Sequence, residues 1–175
     1  MMQRRRVPKK KRPSVFKELR GLIIKIVVML LLVALTFTFV YGVHFVPDAH
    51  MSPNVRDGDV VLFFRHARDY DIDDLLLLNF EGERIVRRVV ARAGDSVNIT
   101  SQGLIINGAA VSEPLVSGQT FRLETEVEFP LTVGPGQVFV LGDARETAID
   151  SRAFGPIYAR DTLGTVITVI RRRGM

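Results

Sequence analysis

LIIKIVVMLLLVALTFTFVY, residues Leu22–Tyr41, is an almost unbroken apolar run in which Lys25 alone is charged. Coiled as a helix, about 20 such residues cross about 30 Å of hydrocarbon. Lys25 lies within one turn of the start, where its long stem can carry the ammonium out to the headgroups. A cleaved signal peptide would have a shorter apolar core, roughly 7–15 residues, and a small-residue cleavage site; no A-x-A motif directly follows Tyr41. A core helix of a soluble protein would show a polar face, and this run has none. The stretch therefore reads as a retained transmembrane helix.

Working outward, the charge is divided along the chain. Residues 1–25 hold ten Lys/Arg against Glu18, a net +9, and residues 26–175 hold the other fourteen basic residues and eighteen acids, a net −4, matching the overall +5. The flank before the run carries Arg4, Arg5, Arg6, Lys9, Lys10, Lys11, Arg12, Lys17 and Arg20, while the segment after it opens with Asp48. By the positive-inside rule the N-terminus is expected in the cytoplasm and the larger part outside. A basic tract beside a membrane span is explained by orientation and anionic lipid, so nucleic acid is not expected as a partner and membrane lipid is. The division expected is a basic cytoplasmic terminus over 1–21, the transmembrane helix over 22–41 and an extracytoplasmic domain over 42–175. The chain has no cysteine, which excludes disulfides and thiolate metal sites; neither a metal nor a cofactor is expected.

Past residue 45 the pattern turns to short branched and aromatic runs broken by Gly, Asp, Asn and Pro. Val60–Phe64, Leu75–Phe80, Ile85–Val90, Ser96–Thr100, Gly136–Leu141 and Thr162–Ile170 read as strands. Gly103-Leu-Ile-Ile-Asn-Gly108 reads as a strand entering a hairpin turn. The fold class expected is mainly β, a sandwich or partly closed barrel, with a mobile acidic segment near Ser117–Phe129. Gly-Asp pairs at 58–59, 94–95 and 142–143 suit tight turns, the Gly at positive φ and the Asp tied to nearby amides. Asp143, with Asp150, Ser151 and Arg152, is expected to support a site as a bracing network, since an Arg–carboxylate fork is rigid.

Three stretches then stand out in order: His50-Met-Ser-Pro-Asn-Val-Arg-Asp-Gly-Asp59, Val86-Arg-Arg-Val-Val-Ala-Arg-Ala-Gly-Asp95, and Leu141-Gly-Asp-Ala-Arg-Glu-Thr-Ala-Ile-Asp-Ser-Arg-Ala-Phe-Gly155. With a membrane anchor shortly before the first, they resemble the sequence boxes of type I signal peptidases (peptidase S26) across most of residues 20–170. The resemblance implies an antiparallel β domain at the outer face of a bacterial cytoplasmic membrane. It implies signal peptides of exported proteins as partners, added as a strand beside the site, with Met51, Pro53 and Val55 lining the groove and its membrane-facing rim.

The chain departs from the family where its chemistry lies. Those enzymes use a Ser nucleophile and a neutral Lys as base. His50 stands in the place of the Ser and Arg87 in that of the Lys, and residues 26–175 contain no lysine at all. A guanidinium, with a pKa above about 12, cannot serve as the base. Asp48 replaces a residue that helps bind the oxyanion, and Ala148 replaces the Ser that supports the base. The expectation is a catalytically degenerate member, acting as a peptide-binding accessory factor in protein export or, by likeness to non-enzymatic relatives beside sortase-assembled pili, with pilin-like secreted proteins. The alternative is an active endopeptidase using Ser52, two residues from His50 and on the same side if that stretch is extended.

Overall fold

A computed structural model describes residues 15–171. The apolar run lies in α1, Val15–Phe39, a 25-residue helix with no buried side chain. At ~1.5 Å per residue it is about 37 Å long, enough to cross the hydrocarbon and enter both headgroup layers. Its two threonines near the C-terminal end donate inward, Thr36 Oγ1 to Leu32 O at 2.9 Å and Thr38 Oγ1 to Ala34 O at 2.7 Å. Neither hydroxyl would enter lipid unsatisfied. By length and composition α1 fits a single-pass membrane anchor. It starts before Leu22, because Phe16-Lys-Glu-Leu-Arg20 is built of adequate to good helix formers, and it ends before Tyr41, which opens a strand.

From Phe39 onward the chain forms a separate compact unit. Its strands, among the described residues, are β1 (Tyr41–Phe45), β2 (Val60–Phe64), β3 (Leu75–Phe80), β4 (Glu83–Arg92), β5 (Ser96–Thr100), β6 (Gly103–Ile106), β7 (Ala109–Ala110), β8 (Leu131–Thr132), β9 (Gln137–Leu141), β10 (Ile157–Tyr158) and β11 (Thr162–Ile170), with a short α-helix, α2 (Ser151–Phe154), and a 3-10 turn at Ala159–Asp161. They make a seven-stranded sheet, β1-β2-β11-β3-β4-β9-β10, and a four-stranded sheet, β7-β6-β5-β8. Every ladder is antiparallel. Each sheet ends on two different strands, so neither closes into a barrel. β1 is absent from the sequence-based expectation because its Val and aromatic residues directly follow the apolar run and read as its continuation. β7, β8 and β10 are two residues each and carry no pattern to read.

The Leu75–Leu78 run explains how one sheet feeds two cores. Alternation sends successive side chains to opposite faces. Leu76 and Leu78 pack with Ile85, Val89, Val138 and Val140, while Leu77 packs with Val86, Val61, Phe63 and Met51. Val97, Ile99, Leu104, Phe139 and Leu141 form a third cluster. Each fully buried Leu or Val contributes roughly 1.5–3 kcal/mol relative to exposure. The expected hairpin forms between β6 and β7, with Asn107 and Gly108 both at positive φ (53° and 81°), the two-residue turn whose twist suits flanking strands.

Segment 117–129 contains no strand or helix, but it is not free. Ser117 N donates to Asp143 O at 2.8 Å, Thr120 is buried, and Arg122 Nε and Thr125 Oγ1 donate to Ile99 O and Arg152 O at 2.5 and 2.8 Å. Basic and hydroxyl side chains within this segment, expected to be a mobile acidic one, tie it to the β unit.

Candidate functional site

The first sequence box is a turn, not a strand. Ser52 N donates to Ala49 O and Val55 N to Met51 O, both at 2.9 Å, and the loop is shut at its base by Val46 N to Asp59 O and Gly58 N to Val46 O. Gly58 sits at φ 85° and Asp59 Oδ2 accepts from Arg56 N at 2.9 Å, as a Gly-Asp turn requires. Gly94–Asp95 repeats the arrangement, with φ 93° and Asp95 Oδ2 accepting from Arg92 N at 2.8 Å.

The third Gly-Asp pair works differently. Gly142 is not among the positive-φ glycines; a Cβ there would meet Ala148 Cβ at 2.2 Å and His50 O at 2.8 Å. Its smallness lets the chain leaving β9 pass between His50 and Ala148, and Ala144 N then donates to His50 O at 2.9 Å. Asp143 is completely buried and takes side-chain donors: Arg88 Nε and NH2 at 2.8 and 2.6 Å and Asn54 Nδ2 at 2.8 Å. That fork holds Arg88 protonated beyond the usual arginine range, chiefly through the hydrogen bonds to Asp143. Arg88 and Asn54 were not singled out from the sequence; the Arg-Arg pair at 87–88 on one strand, with its side chains on opposite faces, was the available signal.

Alternation along β4 puts Glu83, Ile85 and Arg87 on one face. With Asp48, His50, Phe80, Glu81 and Ile149 they line a cleft of about 290 Å³. Arg87 is fully buried and donates from Nε to Ile149 O at 2.7 Å, from NH1 to Val86 O at 2.5 Å and from NH2 to His50 Nδ1 at 3.1 Å. A guanidinium has no lone pair to share, so His50 Nδ1 is the acceptor and the ring proton sits on Nε2. Burial pushes Arg87 below the usual arginine range, and Asp48 is the largest charge opposing that shift. Asp48 Oδ1 accepts from His50 N at 2.9 Å, and its Oδ2 lies 3.8 Å from His50 Nδ1. His50 and Arg87, expected from the resemblance to stand in place of a Ser and a Lys, thus meet in one cleft.

The floor is braced by Asp150, Ser151 and Arg152, all fully buried. Asp150 caps α2 by accepting from Arg152 N at 3.1 Å, and it also takes Arg152 Nε and NH2, both at 2.9 Å, and Gly142 N at 3.0 Å. Ser151 Oγ accepts from Val140 N at 3.0 Å. Arg152 NH2 continues to Arg145 O at 2.7 Å. These side chains are consumed in holding backbone.

Three expected placements are corrected. Met51 and Val55 have no exposed surface and belong to a core cluster; Met51 Sδ also accepts from Asp143 N at 3.4 Å. Neither lines a groove, because the turn points them inward, and only Pro53 is exposed. Ser52 is half-buried, and among the described residues its hydroxyl has no hydrogen bond to His50. The extended geometry that would set the two on one side is replaced by the turn. Among the described residues no group of three His, Cys, Asp or Glu is placed to hold a metal.

The family model described as "Signal peptidase, peptidase S26" matches residues 19–170. A signal peptidase I of Bacillus licheniformis is 30% identical over 169 residues, covering 89% of this chain and 88% of that protein. One from Bacillus caldolyticus is 31% identical over 167 residues, covering 86% and 90%, and one from Mycobacterium tuberculosis H37Rv is 26% identical over 199 residues, covering 86% and 68%. Among solved structures, a signal peptidase I from Enterococcus faecalis V583 shares 29% identity over 57% of this chain and 97% of that one, with a TM-score of 0.47.

Proposed function

Since the chain belongs to the signal peptidase, peptidase S26, family, we propose that it is a membrane-anchored member whose outer domain binds extended peptide without hydrolysing it. The observation that carries this is the Arg87–His50 contact, 3.1 Å, in a domain with no lysine. Ester and amide hydrolysis by a serine needs an acceptor for the hydroxyl proton. At these two positions the cleft holds a cation that cannot be discharged at neutral pH and an imidazole whose free nitrogen already accepts from it. Asp48 adds a carboxylate where negative charge would develop, which opposes the reaction further.

The ligand class follows from the family, which acts on signal peptides of secreted proteins. The protein's role on this reading is that of an accessory factor in export or, with pilin-like clients, in pilus assembly. Strand addition relies on backbone groups and shape, which survive the loss of a nucleophile. No observation favours a Ser52-based protease.

Incubating the full-length protein in detergent with a preprotein bearing an Ala-x-Ala site tests the reading. Wild type is expected to leave it intact, and His50→Ser combined with Arg87→Lys is expected to gain measurable cleavage. Specific cleavage by wild type that disappears in Ser52→Ala would overturn the proposal.

A further inference from the structure

Four arginines are buried in the β unit: Arg87, Arg88, Arg145 and Arg152. Three of them meet a carboxylate, Arg88 on Asp143 at 2.6 Å, Arg145 on Glu113 at 2.5 Å and Arg152 on Asp150 at 2.9 Å. Arg87 has no carboxylate at ion-pair distance among the described residues; its acceptors are two backbone carbonyls and an imidazole, all neutral. The counter-charges that act on Arg87, Asp48 foremost, do not touch it, and a buried cation with no carboxylate in direct contact is costly, so proteins rarely keep one without a use. This one belongs to the wall of the cleft.

We infer that the cleft takes a peptide carboxylate onto Arg87, with the His50 imidazole holding that place in the free protein. The inference rests on the peptide-binding reading above and names the group recognised. Of the five N–H donors on a guanidinium, three are used here. Of the three acceptors, only the imidazole is a side chain, so it alone can leave without disturbing backbone. The His50 side chain is 30% exposed, and Asp48 Oδ2 lies 3.8 Å from its Nδ1. Arg87 has no solvent-accessible surface of its own, so His50 has to swing aside before a ligand arrives. The carboxylate then gains a charge-assisted contact in place of a neutral one.

The remaining walls decide what kind of molecule carries the carboxylate. Asp48, Glu81 and Glu83 line the same cleft and disfavour any carboxylate there, so a small free anion such as acetate, with no further contacts to offset the repulsion, is not held. Phe80, Ile85 and Ile149 supply apolar surface that an attached peptide body covers. The carboxylate comes either from a chain's C-terminus or from an Asp or Glu side chain.

The test uses the full chain in detergent micelles and fluorescence anisotropy with three labelled hexapeptides. One ends Ala-x-Ala as the free acid, one is its amide, and one is the amide with Asp as last residue. A carboxylate-bearing peptide is expected to bind about tenfold tighter than the Ala amide. Preference for the acid assigns the C-terminus, and preference for the Asp amide assigns a side chain. Arg87→Gln is expected to erase the preference, and His50→Ala, which vacates the place, to enlarge it. Equal binding of all three, or a preference that survives Arg87→Gln, overturns the inference while leaving peptide binding intact. Should Arg87→Gln not fold, His50→Ala decides: a preference that stays the same or shrinks overturns it. Binding of none of the peptides sinks the peptide-binding reading itself.

Discussion

A guanidinium and an ammonium carry the same charge, yet burial can discharge only the ammonium at accessible pH. That difference turns the single change at Arg87 into a statement about chemistry, and it was legible in the sequence, where residues 26–175 hold no lysine. The partners of Arg87 were not legible, because they come from residues 50 and 149, brought together only by the fold. The same holds for Arg88, whose partner Asp143 is 55 residues away and reads in sequence as a turn residue. Asp143 is fully buried and holds a cation that is 9% exposed, so losing its charge strands Arg88. Asp143→Asn is expected to cost about 3–5 kcal/mol, read as a fall in urea midpoint at constant slope. The contrasting case is Asp71, 85% exposed and paired with Arg92, where Asp71→Asn is expected to change stability by less than about 1 kcal/mol. Equal effects of the two substitutions would remove the argument that burial makes Asp143 essential.

At the scale of elements, the long patterns were readable and the short ones were not. β3 and β11 match the sequence-based ranges, and β4 grows at both ends because Glu83, Arg84, Ala91 and Arg92 continue a ladder that the apolar pattern does not mark. β1 was hidden by its neighbour, since Tyr41-Gly-Val-His-Phe45 follows α1 almost without a break. Pairing of β1 with β2 sets His44 opposite Val61 and leaves its Nε2 buried without a partner. Burial pushes the His44 imidazole below its ordinary value of 6.5, and the nearby Arg84 cation pushes the same way, while a backbone hydrogen bond at Arg84 and the Asp48 charge oppose it. A histidine whose folded pKa is lowered favours the folded state while neutral. Its contribution is complete above pH 6.5 and is lost as the pH falls from there toward the folded value. The urea midpoint of wild type is expected to drop between pH 7.5 and 5.5, and His44→Gln to flatten that drop. An identical slope in the variant would assign the acid sensitivity elsewhere.

Across the whole molecule, the decisive property is the asymmetry of charge about one apolar helix. The +9 carried by residues 1–25 against the −4 beyond them is a topological signal, because Lys and Arg near a span are retained on the cytoplasmic side. The proposed peptide-binding role requires the same orientation, since an exported peptide is met on the outer face. The absence of cysteine makes the orientation directly measurable, because any introduced thiol is the only one in the chain. Ser101→Cys lies at an exposed turn of the β unit, and Gln3→Cys lies in the basic N-terminal tract. In intact spheroplasts a membrane-impermeant maleimide is expected to label Cys at 101 and not at 3, with both labelled after lysis. Labelling of position 3 alone before lysis would place the β unit in the cytoplasm, where no exported segment emerges, and the peptide-binding role would lose its ligand.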